Sequence, residues 1–262
     1  MRRGSLFFGS MLILVGTLFL LDSMDIINVN IWGLLFPGFL IAAGLWTLLG
    51  LIGRKGRVET ETVSIPLEGA ERARIKVRHG AGRLRVSSGA DADNVMSGTF
   101  DGGLDYQSHK SGDSLEVEMK GPQDVFDVFS SGRGLNWSIE LNSQTELSLD
   151  VQGGANEARL DLTDLKVTEF VMKTGASTTE ITMPANAGFT KAKIESGLGS
   201  MKIRFPMGVA GKIQTEGGMA SISVDSSRFP RSGSVYMSAD YDEAENKVDL
   251  SLNTGVGSVE VE

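Results

Sequence analysis

Glycine recurs along this chain at a spacing that few folds accept. Gly154, Gly175, Gly197 and Gly218 stand 21, 22 and 21 residues apart, and each interrupts a run in which apolar and polar residues alternate. Alternation of period two sends successive side chains to opposite faces of a strand. The unit is therefore strand, glycine corner, strand. It is met first over 75–86, turning at Gly80-Ala81-Gly82. It returns over 147–162 at Gly153-Gly154, 170–183 at Gly175, 192–205 at Gly197-Leu198-Gly199 and 213–224 at Gly217-Gly218. A last copy, 248–261, turns at Gly255-Val256-Gly257, 37 residues after Gly218, as a repeat with one insertion would. Corners need positive φ or close backbone approach, which glycine permits. Periods near twenty with short strands belong to solenoids, whose coils bury their apolar face only against neighbours. The reading is an all-β domain, a single-stack, β-helix-like β-solenoid. Leu160/Leu162, Ile181/Met183, Met201/Ile203, Ile222/Val224 and Val259/Val261 would stack as one inward apolar ladder. Antiparallel hairpins packed as a sandwich would give the same alternation.

The first fifty-odd residues are of another kind. Residues 5–21 carry no charge and are close to the minimum length for a membrane-spanning helix. Residues 31–52 are longer and equally uncharged, with Trp32, Trp46 and small residues such as Gly38, Ala42, Ala43 and Gly44 that let helices approach. Pro37 marks a kink. Between the runs stand Asp22 and Asp25 and no base, whereas Arg2 and Arg3 precede the first run and Arg54, Lys55 and Arg57 follow the second. The excess of bases at the outer ends predicts a two-helix transmembrane hairpin over 1–57, with spans at about 5–21 and 31–52. Both termini, and with them the β domain of 58–262, then face the cytoplasm of a bacterial cell. A cleaved signal peptide followed by one anchor is the competing reading, but no Ala-x-Ala-like site follows the first run.

Charge and composition remove several functional classes. The chain has no cysteine, which excludes disulfide frameworks, thiol catalysis and cysteine-based zinc sites and fits a reducing compartment. The net charge is −8; residues 1–57 hold five bases against two acids, so the remaining 205 residues carry −11. An acidic domain of this kind is not built for nucleic acid. His79 and His109 lie 30 residues apart, without helical metal-ligand spacing. The Gly-x-Gly pairs lie between strands, not between a strand and a helix, and so form no dinucleotide fingerprint. Asp161, Glu180, Glu195 and Glu216 could form the acid cluster of a glycan lyase or hydrolase on adjacent coils. Their alternation with apolar positions makes them an outward, solvated face instead. No catalytic residue, cofactor or metal ligand is expected.

Two stretches break the rhythm. Residues 96–141 read as an insertion or an N-terminal cap. Within them Val125-Phe126-Asp127-Val128-Phe129 and Trp137 supply aromatics, so Phe126, Phe129 and Trp137 are candidate partner contacts; the same cluster could instead form a lid over the open end of the stack. The second stretch, around Arg228-Phe229-Pro230-Arg231 and 240–245, reads as a solvated loop.

The run Gly16-Thr17-Leu18-Phe19-Leu20-Leu21-Asp22, followed by Trp32-Gly33-Leu34-Leu35-Phe36-Pro37-Gly38, resembles the membrane region of LiaI/LiaF-like bacterial proteins. The repeats are similar to the β-solenoid C-terminal domains of LiaF-like, toast-rack and adhesin-like proteins. The resemblance implies a membrane protein of the envelope-stress response, in which LiaF is an inhibitory partner of a sensor histidine kinase. This chain departs in having one hairpin where LiaF has about two. The resulting expectation is a non-catalytic regulator acting through protein–protein contacts, with a sensor kinase as the kind of partner. The alternative is a self-assembling, homo-oligomeric or adhesin-like scaffold, joined through an exposed end coil at 248–261.

Overall fold

The computed structural model describes residues 60–121 and 135–262. The expected transmembrane hairpin, its basic flanks Arg2, Arg3, Arg54, Lys55 and Arg57, and Phe126 and Phe129 lie outside the described residues. Thirteen strands form one sheet system. In chain order they are β1 (Thr60–Pro66), β2 (Arg72–Ser88), β3 (Asn94–Asp101), β4 (Asp105–Ser111), β5 (Ser114–Lys120), β6 (Leu135–Leu141), β7 (Glu146–Asp161), β8 (Lys166–Thr182), β9 (Phe189–Arg204), β10 (Ala210–Val224), β11 (Arg231–Ser232), β12 (Val235–Met237) and β13 (Lys247–Val261).

The six long strands β2, β7, β8, β9, β13 and β10 are stacked in that order and all pair in parallel. Each is one coil: a first limb, a glycine corner and a second limb. Parallel pairing of successive repeats excludes the sandwich of hairpins, in which neighbours would run antiparallel. The return between coils is tight. Leu165 N–H donates to the Leu162 carbonyl at 3.0 Å, and Leu162 N–H donates to Thr182 in the next coil, also at 3.0 Å.

Two apolar rows of the second limb run through the stack: Leu84–Ala158–Thr179–Met201–Val259–Ile222 and Val86–Leu160–Ile181–Ile203–Val261–Val224. The first limb supplies Ile75–Leu149–Phe170–Ala192–Leu250–Ile213. These side chains share one core with the rest of the domain. The inward ladder therefore exists, with one change of register. Met201 stacks on Thr179 and Ala158 rather than on Ile181, because β8 and β9 are offset by 22 residues.

The strand order corrects the expected end of the stack. β13 lies between β9 and β10, so 248–261 is an interior coil. The end coil is β10, and the 225–246 connection carries the chain around it to return one layer inward.

The supposed solvated loop in that connection is a plug. Phe229 is fully buried, its ring 5.1 Å from that of Phe205 over Gly211. Arg228 lies over both rings and donates to the carbonyls of Phe205, Pro206 and Val209 at 2.5, 2.5 and 3.0 Å. Short β12 and β11 then cover the first limb of β10 at Lys212, Ile213 and Gln214.

At the other end, the stretch read as an insertion or cap contains a split coil. β5 pairs in parallel with the first limb of β2, and β6 with its second limb. The connection between β5 and β6 departs where the other coils have their glycine corner. Beyond this layer pairing becomes antiparallel, β4 on β5, β3 on β6 and β1 on β3, which closes the end with shorter strands. Asn142 fixes the junction. Its side-chain amide donates to the carbonyls of Asp91, Ala92 and Asn94, and its oxygen accepts from the backbone of Gln144 and Thr145.

Candidate interaction surfaces

The corner glycines form a column in stack order, Gly80, Gly154, Gly175, Gly197, Gly255 and Gly218. A Cβ on Gly197 would lie 2.7 Å from the Gly175 carbonyl oxygen, and one on Gly255 would lie 2.6 Å from that of Gly197. Carbon cannot approach oxygen so closely, so the corner is as tight as it is only because these positions lack side chains. The residue after each glycine points outward in register: Ala81, Ala155, Ala176, Leu198, Val256 and Met219. This ridge is small at one end and large at the other. Leu198, Val256 and Met219 are 54%, 40% and 82% exposed, so the apolar surface of the corner gathers at the end coil.

The outer faces of both limbs are charged and paired across strands. Lys173 and Lys193 both contact Glu195, at 3.2 and 2.7 Å. Arg159 joins Glu157 to Glu180 at 3.2 and 3.6 Å, and Lys202 joins Glu260 to Glu262 at 3.5 and 2.8 Å. Hydrogen bonding from these lysines and from Arg204 lowers the carboxyls of Glu195 and Glu262 below their ordinary range. The acids considered as a catalytic cluster are thus spread along solvated rows. Asp161 accepts from Thr163, Glu180 and Glu195 are ion-paired, and Glu216 is exposed. Among the described residues no three His, Asp or Glu side chains are placed to hold a metal.

Inside the corner runs a buried polar seam. His79 is 2% exposed, and its Nε2 is 3.1 Å from the Leu135 carbonyl. Its Nδ1 is 3.5 Å from the Asn156 amide nitrogen. Further along the stack Thr179 donates to Ser177, and Ser177 to Thr174. Burial pushes the His79 imidazole below its ordinary pKa, with the Leu135 carbonyl acting partly against it. Folding therefore favours the neutral ring. The stability it contributes is complete above the unfolded value of about 6.5 and is lost as pH falls through that value toward the lower folded one. Between pH 7.5 and 5 the native protein should lose more melting temperature than a His79→Gln variant; parallel Tm–pH curves would remove His79 as the cause.

The expected contact residue Trp137 is not on the surface. It is 1% exposed, edge-on to His79 at 5.2 Å and to Phe100 at 5.3 Å between ring centroids. The reason is parity: Leu135, Trp137, Ile139 and Leu141 occupy the inward positions of β6. The surfaces missed at first are the apolar ridge and the uncovered limb of β10. Both were signalled by the uncharged run Gly217-Gly218-Met219-Ala220-Ser221-Ile222-Ser223-Val224.

A tight parallel stack with ion-paired faces defines a class of rigid β domains that present surfaces rather than clefts. The model of the N-terminal domain of toast_rack, DUF2154, matches residues 54–204, and that of the LiaF transmembrane domain matches residues 1–55. The chain belongs to the toast-rack family and is a LiaF-like membrane protein. Neither family is one of enzymes. Among solved structures it is similar to a Clostridium sporogenes protein described as a candidate for cell adhesion, at 19% identity and a TM-score of 0.68, covering 78% of this chain and 99% of that one. That likeness is one of fold. No curated protein matches the chain.

Proposed function

We propose that the protein is a non-catalytic regulator in the envelope-stress response that acts through protein–protein contacts at the bacterial cell membrane. In this reading residues 1–57 form a two-span anchor flanked by Arg2, Arg3, Arg54, Lys55 and Arg57. Both termini lie in the cytoplasm, and the β domain of 58–262 offers its surface to a membrane signalling protein such as a sensor kinase. Phe126 and Phe129 belong to the proposed contact set. The observation that carries the reading is the joining of a LiaF transmembrane domain to a toast-rack domain in one chain. A stack whose outer faces are rigid and solvated suits recognition, since little conformational freedom remains to be lost on binding. The test is an envelope-stress reporter in the native host. Deleting residues 1–53 should change reporter output several-fold while the β domain is still made. Unchanged output would sink the regulator reading.

A further inference from the structure

We propose that the outer edge of the second limb of β10, residues 217–224, pairs antiparallel with the same edge of a second copy of this chain, giving a two-fold dimer. Among the described residues nothing pairs with this edge on its outer side, since β12 reaches only Lys212, Ile213 and Gln214. The other terminal strands are guarded as isolated edges usually are. β4 is exposed along its whole length and carries Asp105, His109 and Lys110; β1 carries Glu61 and ends in Pro66; β11 has two residues. The β10 limb has eight residues with no charge and no proline. Ile222 and Val224 end the two inner rows half-covered, packed on the core from one side only. One more strand would extend both rows.

A second copy fits this edge best, on charge, symmetry and reach. The domain carries −11, so two copies repel over most of their surface, and a neutral edge is where that repulsion is least. A basic partner strand would find no acid on the edge to pair with. Antiparallel pairing about a two-fold axis is self-complementary here, because Ala220, Ile222 and Val224 all have the same parity and fall on the inner side in both copies. Residues 122–134, which connect β5 to β6, cannot reach. Six strand spacings separate that layer from β10, about 29 Å, whereas 13 residues leaving and returning extend about 23 Å at most. Confinement of a LiaF-like protein to one membrane raises the effective concentration of copies for each other.

The chain has no cysteine, so an introduced thiol is unique. Full-length Ser221→Cys and Ser223→Cys variants, singly and together, are treated in native membranes with a short bifunctional maleimide, beside Ser108→Cys on β4. Crosslinked dimer from the β10 variants at tenfold or more the yield of Ser108→Cys supports the proposal. Equal yields, no dimer, or adducts only with other proteins overturn it. As a second measurement, Ser221→Lys/Ser223→Lys should lower the dimer fraction in detergent at least tenfold with an unchanged circular dichroism spectrum; an unchanged fraction also overturns it. The dimer stands or falls independently of the stress reporter, whose failure concerns only the regulator reading.

Discussion

Replacing Gly199 by alanine is expected to destabilise the domain by about 3 kcal/mol or more, the combined cost of backbone strain and a forced separation of strands. Gly199 has φ of +144°, and a Cβ there would fall on the carbonyl oxygen of Ser177 in the adjacent coil. Backbone cannot yield as a flexible side chain would, so β8 and β9 must part beside the corner. Gly257 repeats the arrangement one coil further on, with φ of +136° and the Gly199 carbonyl beneath it. Gly208 is the control. Its φ is +83°, but a Cβ there meets nothing within 4 Å, so alanine costs only the local strain of about 1 kcal/mol. Urea unfolding of the three proteins separates the two effects; Gly199→Ala within 1 kcal/mol of Gly208→Ala would contradict so close a stack.

Phe229→Ala is expected to cost about 3 to 5 kcal/mol, the usual range for removing a fully buried aromatic ring. The site has little means of collapse. One wall is Phe205, the floor is Gly211, and Arg228 is held above by three backbone carbonyls. The loss should be local in its first effects. Amide exchange in β10 and β12 should quicken by two or more orders of magnitude before that of β7 and β8 changes, because coils contact only their neighbours. Uniform loss of protection would mean that the plug does not act on the end coil.

Much of the architecture is written in the glycines. The markers at Gly154, Gly175, Gly197 and Gly255 are the corner column itself, and the acids at Glu180 and Glu195 face solvent as their alternation with apolar residues requires. The offset that moves Met201 onto Thr179 was also present, in the one glycine interval of 22 rather than 21. Trp137 could have been placed inside by the parity of its strand. The position of β13 could not, because its pattern of alternation around Gly255 is that of any other coil. A strand with such a pattern can stack wherever two others leave room. Phe229 offered no periodicity, being one aromatic between Arg228 and Pro230, and its burial follows only once the end of the core is known. The split coil of β5 and β6 was hidden because its corner holds a long connection instead of glycine.

The interleaving of β13 bears on how the protein is made. A ribosome delivers β9, then β10, and only after the intervening segment the strand that separates them. Stacking cannot simply follow synthesis, coil by coil, as it can in a solenoid whose spatial order matches its chain order. Until Lys247–Val261 emerges, the β9 edge stays open or β10 occupies it and must later be displaced. Either course leaves a long parallel edge unprotected in the nascent chain, the state in which strands most readily find wrong neighbours. For this chain the last layer to settle lies within the stack, and its placement is a post-translational event.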